Sequence, residues 1–374
     1  MKIGISCYPT HGGSGVVASE LALQLANAGH EVHILSYATP FRLAEFHPNI
    51  LLHDVEVGVY PLFKYPPYAL GLATKMAEVA KDYDLDVLHA HYAVPHATSA
   101  YLARQIVGSE KLKVITTLHG TDITLTGADP SFKRVVKFSI EQSDGVSAVS
   151  NYLREKTCEE FGIEREAIDV IHNFIDVNRG VHHSSMCQKK QYAPQNEKIV
   201  MHASNFRPVK RTTDVVRIFH KIRDEIPAKL LLIGEGPDRI LVQQVIRDLG
   251  IQKDVIFLGQ VDYIDDLLQC ADIFLLPSEQ ESFGLAALEA MNCGVPVIGA
   301  RTGGMGEVVI SGETGFLFSV GEITAMAEAS LDLLRNPEKH QIFSENARRR
   351  ATKTFGTDVI MPKWIQFYER ILNQ

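Results

Sequence analysis

Glu281-Ser-Phe-Gly-Leu-Ala-Ala-Leu-Glu289 sets two carboxylates at the ends of a turn and an apolar run. Seven residues separate its two carboxylates, and a Ser-Phe-Gly turn parts the first Glu from an apolar helical run. The apolar segment Ile273–Leu276 leads into the turn, and Val295–Gly299 follows the helix. Strand, turn, helix and strand in that order make one unit of a parallel α/β sheet. Ligands bind such sheets outside the carboxyl ends of the strands. A helix start there adds free N–H groups and a dipole that favour an anion.

The spacing narrows the ligand. With Glu281 at the turn and Glu289 two turns into the helix, their backbones lie roughly 12 Å apart. Paired carboxylates acting on one bond stay within about 10 Å. The two therefore suit different parts of one long, hydroxyl-rich ligand. Between them the N–H groups of Phe283, Gly284 and Leu285 are placed to hold a pyrophosphate. Alone, Glu289 reads as a surface helix residue, but its neighbours from Leu285 to Met291 are otherwise apolar. Glu279 reads as a solvated loop carboxylate.

Outward from that stretch, the pattern repeats along the chain. Its 374 residues exceed one ordinary core, so two domains are expected. Residues 2–7 read as a strand, Pro9–Gly15 as a glycine loop, Val16–Ala28 as a helix stopped by Gly29, and Glu31–Tyr37 as a strand. From Lys198 the same order restarts: strand Lys198–Ala203, basic loop Ser204–Arg211, helix Thr212–Ile226, strand Lys229–Ile233. The expected architecture is α/β, two Rossmann-like domains with a cleft between them. The boundaries read 1–171, a linker at 172–197, 198–356, and an amphipathic helix at 357–374. That helix, with Trp364, Phe367, Tyr368 and Leu372, is expected to pack back on the first domain. The polar segment Gly180–Asn196 suggests no function.

Composition excludes some classes. The net charge of -8 argues against a nucleic-acid binder working by bulk charge. No apolar run approaches a membrane span, and the opening Met1–Ser6 shows no signal-peptide pattern. Cys7, Cys158, Cys187, Cys270 and Cys293 form no CxxC pair and read as reduced thiols of a cytoplasmic protein. The oligomeric state stays open, a homo-oligomer included.

Cations for an anionic ligand must then be local. In Ser204-Asn-Phe-Arg-Pro-Val-Lys-Arg211, Arg207 offers a bidentate fork and Lys210 a point charge. Without a metal, such a clamp neutralises a departing diphosphate. The amides of Gly12-Gly-Ser-Gly15, Gly13 among them, suit a phosphate or carboxylate, although a bare tight turn explains the glycines equally. His89, His91 and His96 look like a metal cluster, yet no carboxylate or thiol completes a ligand set, and no metal or cofactor is expected. His119 ends an apolar strand beside Gly120 and is expected in the site. No G-x-S-x-G or Walker A sequence points to hydrolase or P-loop chemistry.

These motifs resemble the retaining GT-B glycosyltransferases of family four. Glu281 to Glu289 is similar to that family's Glu-x7-Glu motif, and Gly303-Gly-Met-Gly-Glu-Val308 to its Gly-Gly-x-Pro-Glu-Val, with Gly306 in place of Pro. The resemblance covers essentially the whole chain. Finer matches are to the malate-accepting members that open bacillithiol biosynthesis. They comprise Cys7-Tyr-Pro with Gly12–Gly15, Pro40-Phe-Arg-Leu43, Phe63–Tyr68, His89–His96, Thr116–Thr124 and Ser204–Arg211.

The resemblance implies UDP-N-acetylglucosamine as donor and L-malate as acceptor. It implies that Glu289 holds the ribose, that Glu281 holds the donor sugar, and that Arg207 and Lys210 neutralise the diphosphate. In the wider family the Arg lies five before the Lys, where this chain has Asn205. His119 would contact the donor sugar near the reacting carbon. Ser14, Tyr92 and Thr117 are the candidates for malate, with Arg154 a lesser one. The rivals are the same fold with a polyol phosphate, glycan or lipid acceptor, and a non-catalytic nucleotide-sugar sensor.

Overall fold

The computed structural model describes the chain except residues 11, 41, 44, 59, 60, 178–188, 262 and 263. The chain divides into two compact units, Met1–His172 with Ile360–Gln374, and Asn173–Val359.

Each unit is a parallel sheet flanked by helices. The first contains β1 (Lys2–Ser6), β2 (Glu31–Ser36), β3 (Ile50–Asp54), β4 (Val87–His91), β5 (Lys113–Leu118), β6 (Gly145–Ala148) and β7 (Asp169–Val170). Their order is β3-β2-β1-β4-β5-β6-β7. The second contains β8 (Lys198–Ala203), β9 (Ala228–Ile233), β10 (Val255–Gly259), β11 (Ile273–Leu276), β12 (Val297–Ala300) and β13 (Gly315–Phe318). Their order is β10-β9-β8-β11-β12-β13. The strand order reverses between β1 and β4, and between β8 and β11, so each sheet has a topological switch point, the place where such sheets take ligands, and the sequence motifs fall there.

The central strands are apolar because helices cover both faces. All four residues of β11 and all five of β4 are buried. In the second unit Val215, Phe219 and Ile222 of the helix Thr212–Glu225 share a core with Val200, Leu230, Leu232 and Leu275. In the first, Leu72, Met76 and Ala80 of the helix Tyr68–Tyr83 pack with Leu88, Ala90, Ala100 and Ala103. The last helix, Thr357–Leu372, buries Trp364, Phe367, Tyr368 and Ile371. Ile371 takes the place expected for Leu372, because 364, 367/368 and 371 form one stripe at helical spacing.

Several expectations shift. The first helix runs Ser14–Asn27, so Ser14 is its opening residue and not a loop residue; Gly13 turns the chain at φ 49°. Asp265–Leu268 forms a short helical turn ahead of β11. Most of the polar segment Gly180–Asn196 lies outside the described residues; its Lys189–Tyr192 is a helical turn held by Lys189 Nζ on Asp272 at 2.6 Å. Cys7, Cys158 and Cys293 are free, but Cys270 is disulfide-bonded, against the reading of five reduced thiols.

Candidate active site

In the second unit β8 and β11 lie side by side and end in the two loops that carry its site residues. The amide of Glu279 donates to the carbonyl of Val209 at 2.8 Å, which fastens one loop to the other. Lys210 Nζ donates to Glu281 Oε1 at 2.6 Å, with the side chains 22% and 11% exposed. The cation and carboxylate assigned to different parts of one ligand are thus each other's counter-ions. Arg211 is held by Asp214, its Nε 2.6 Å from Oδ2. Arg207 stands exposed at the entrance to the turn Pro208–Lys210 and pairs with no carboxylate among the described residues. Of the three cations on this loop, Arg207 alone has no carboxylate partner among the described residues.

His202 is a functional support that the sequence reading passed over. It is buried at the end of β8, with Nδ1 2.8 Å from the carbonyl of Leu275 and Nε2 2.8 Å from Ser204 Oγ. It ties β8, β11 and the root of the basic loop together. Burial pushes its imidazole down to about 4, so it is neutral at pH 7. The signal was a lone histidine inside an apolar strand.

The turn after Glu281 is fixed by its neighbours. Phe283 is buried, edge-on to Phe355 at 5.5 Å, so its ring is structural. Gly284, at φ 97°, opens the helix Leu285–Asn292. The amides of Gly284 and Leu285 make no hydrogen bond among the described residues, as the first turn of a helix requires. Glu289 is half-buried on the face left by Ala287, Leu288, Ala290 and Met291. The glycine loop 303–306 docks beneath. Gly304 donates to the carbonyl of Glu281 at 2.9 Å, and a Cβ on Gly304 would stand 2.4 Å from the carbonyl oxygen of Ser282. A Cβ on Gly306 would meet nothing within 4 Å, so space does not demand glycine there.

The first unit presents a different chemistry. β4 ends at His91 and β5 runs into His119; His91 faces Thr117 in register. His91 Nδ1 lies 2.9 Å from His119 Nε2. His89 joins Tyr368 at 2.6 Å and Thr117 at 2.7 Å, and Thr117 continues to Ser147 at 2.8 Å. His96 bonds Ser6 at 3.1 Å. The histidines that look like a metal cluster are therefore links in hydrogen-bond chains, and no group of three possible metal ligands occurs among the described residues. Burial pushes His89, His96 and His119 down to about 3 and His91 well below its usual value, so the network is uncharged at pH 7.

His119 is held on three sides. Tyr92 stacks on its ring at 5.5 Å, and Tyr92 itself bonds Thr121 Oγ1 at 2.6 Å. Tyr92 has φ 104°, a strained conformation costing about 1–3 kcal/mol that persists where surroundings over-determine it. The buried carboxylate of Asp122 accepts from the amides of Gly120 at 2.7 Å and His119 at 3.2 Å. Burial raises Asp122 to about 6 despite those bonds.

The remaining candidates sit as follows. Ser14 is buried at the start of its helix, next to exposed Gly13. Thr117 is 1% exposed and its hydroxyl already serves His89 and Ser147, so a ligand contact there requires an exchange of partners. Arg154 is partly buried and engaged by Glu155 at 3.1 Å and Asn151 at 3.0 Å. Tyr368 and Asp122, which sequence reasoning did not place in the site, prove to be supports for its histidine network.

Two parallel-sheet α/β units, each with a switch point, are the architecture of GT-B glycosyltransferases, and the chain belongs to glycosyltransferase family 4. Residues 11–179 match the model of "Glycosyltransferase Family 4" and residues 187–350 that of "Glycosyl transferases group 1". The chain is 49% identical over 375 residues to the N-acetyl-alpha-D-glucosaminyl L-malate synthase of Bacillus anthracis, covering 100% of this chain and 98% of the relative. Among solved structures, Anabaena HepE in complex with UDP and glucose superposes with a TM-score of 0.84 at 21% identity, covering 99% of each chain. Sucrose-phosphate synthase from Thermosynechococcus elongatus gives 0.81 at 22% identity, covering 100% and 99%. At those identities the structural likeness speaks for the fold alone.

Proposed function

We propose that this glycosyltransferase moves N-acetylglucosamine from UDP-N-acetylglucosamine to the hydroxyl of L-malate, with retention at the anomeric carbon, as the first step of bacillithiol biosynthesis. The observation that carries this reading is the 49% identity, end to end, to the Bacillus anthracis malate synthase. The second unit's pattern of cations, open amides and carboxylates supports a nucleotide diphosphate-sugar as donor.

In this reading Glu289 holds the ribose, and the amides of Phe283, Gly284 and Leu285, with Gly13, receive the diphosphate. Arg207 and Lys210 neutralise the leaving UDP. Lys210 must exchange Glu281 for phosphate oxygen, and that exchange releases Glu281 to the hydroxyls of the sugar. Ser14, Tyr92 and Thr117 take malate. The bond from C1 to the phosphate oxygen breaks, the malate oxygen bonds C1 on the same face, and the departing phosphate oxygen accepts the hydroxyl proton. That front-face route suits a site whose buried carboxylate, Asp122, is already committed to backbone amides. The described helices include none long and apolar enough to cross a membrane; water-soluble substrates support a cytoplasmic setting.

The test is UDP release from UDP-N-acetylglucosamine with malate, a polyol phosphate, a glycan and no acceptor. Faster release with malate and an α-linked product by NMR are expected. Release indifferent to malate, or a β-linked product, would remove the assignment.

A further inference from the structure

His91 uses one ring nitrogen and leaves the other without a partner. Its Nδ1 lies 2.9 Å from His119 Nε2, and its own Nε2 is buried with no hydrogen bond among the described residues. His119 differs. Its Nε2 faces His91, while its Nδ1 bonds no described residue and is not among the buried, unpartnered atoms of the half-buried ring's surroundings. One proton occupies the axis between the two rings, and which ring owns it determines what His119 shows to solvent.

Two arrangements are open to neutral rings. If His119 supplies the proton, the second nitrogen of His91 must carry its own, which leaves a buried N–H with no acceptor. Native interiors almost never keep such a donor. If His91 supplies it, His91 Nε2 is a bare nitrogen, and the single proton of His119 sits on Nδ1, where solvent or a ligand accepts it. Burial, with repulsion from neighbouring imidazoles, keeps both rings neutral, so neither escapes the choice by taking a second proton. Tyr92 stacked on the ring and Asp122 on the backbone amide already fix the plane of His119. What is left for His91 to set is the tautomer.

We propose that His91 is a positioning residue that holds His119 in the Nδ1–H form, so that the open edge of His119 donates a hydrogen bond to an oxygen of the bound ligand. A ligand oxygen that accepts is selected there, and a ligand N–H is refused. The ligand half of this statement rests on the assignment of His119 to the donor sugar made above. The tautomer does not, so the two fail separately.

The full chain labelled with ¹⁵N-histidine decides the tautomer, read by long-range ¹H–¹⁵N correlation with His119→Gln used to assign the signal. In the ligand-free protein the expected result is a protonated Nδ1 and a bare Nε2 on His119; a protonated Nε2 overturns the proposal. That measurement needs no folded His91 variant. Kinetics supply the second arm. His91→Phe is expected to lower kcat roughly tenfold with little change in malate KM, and His91→Asn, whose amide N–H reaches the Nδ1 position, to recover most of it. Equal kcat in the two variants, whether both lowered or both unchanged, overturns the positioning role.

Discussion

Lys210 and Glu281 meet at 2.6 Å in the second unit, while His91 and His119 meet at 2.9 Å in the first. The first is a lysine–carboxylate pair that is mostly buried but keeps some access to water; the second is a neutral imidazole pair within a buried network. A charged pair can trade its counter-ion for a phosphate when one arrives. A neutral pair offers direction but no charge, which suits groups that must be oriented beside a reacting carbon without attracting a second anion. The units share a fold and differ in which kind of electrostatics their strand ends carry.

The largest expected effect that would break this comparison is acid. His89, His96 and His119 have folded values near 3 against 6.5 in an unconstrained histidine. As pH falls, the unfolded chain binds protons first, so stability present above about 6.5 is lost progressively down to about 3. The loss is about 1.4 kcal/mol per pH unit for each fully buried histidine, and less for the partly exposed His119. Asp122, raised from 3.8 to about 6, works in the opposite sense between those values, but it is one group against several. The second unit has His202, lowered to about 4, as its buried counterpart. Trp364, the single tryptophan, is buried 5.4 Å from His89 and reports on the first unit. Its fluorescence transition is expected at a higher pH than the far-UV circular dichroism midpoint. Coincident transitions would mean the two networks do not differ in acid sensitivity.

Next in size is the charged pair. Lys210→Ala should lower kcat by about 10²–10³-fold, the scale for removing one donor to a developing oxyanion. Glu281→Gln should also slow turnover while leaving UDP binding equal or tighter by calorimetry, because Lys210 loses a competitor. Weaker UDP binding in Glu281→Gln would argue that the pair stays closed when nucleotide binds.

A smaller effect separates two glycines of one loop. Gly304→Ala pushes a methyl against the Ser282 carbonyl and should cost about 1–3 kcal/mol in chemical denaturation. Gly306→Ala meets open space and should stay within about 0.5 kcal/mol of the parent or gain slightly. Equal losses would show that the loop's docking under Ser282 is not what fixes the turn.

The second unit's candidate site was legible in the sequence because its information is local. Glu281, the Ser-Phe-Gly turn and Glu289 lie within one strand–turn–helix, where spacing alone gives placement. The pairing of Lys210 with Glu281 was not legible, since nothing at either position names a partner 71 residues away. His89, His91 and His96 show the same limit. Spacing put two of them on one face of a strand, but the groups that satisfy them, Tyr368, Thr117, His119 and Ser6, come from other parts of the chain. The missed β3 is a sheet-edge strand with Leu52 exposed, so it lacks the buried apolar run that marked the others. The missed helix Pro337–Phe355 buries Phe343, Ala347, Ala351 and Phe355, a stripe carried half by alanines and faint in hydropathy.

The proposed division of labour, acceptor on the first unit and nucleotide on the second, is tested most directly by crossed Michaelis constants. Tyr92→Phe and Glu289→Ala are measured with both substrates varied. Tyr92→Phe should raise the malate KM about tenfold and leave the UDP-N-acetylglucosamine KM nearly unchanged, and Glu289→Ala should do the reverse. If either variant moves both constants together by the same factor, the two sites are not separate and the account is wrong.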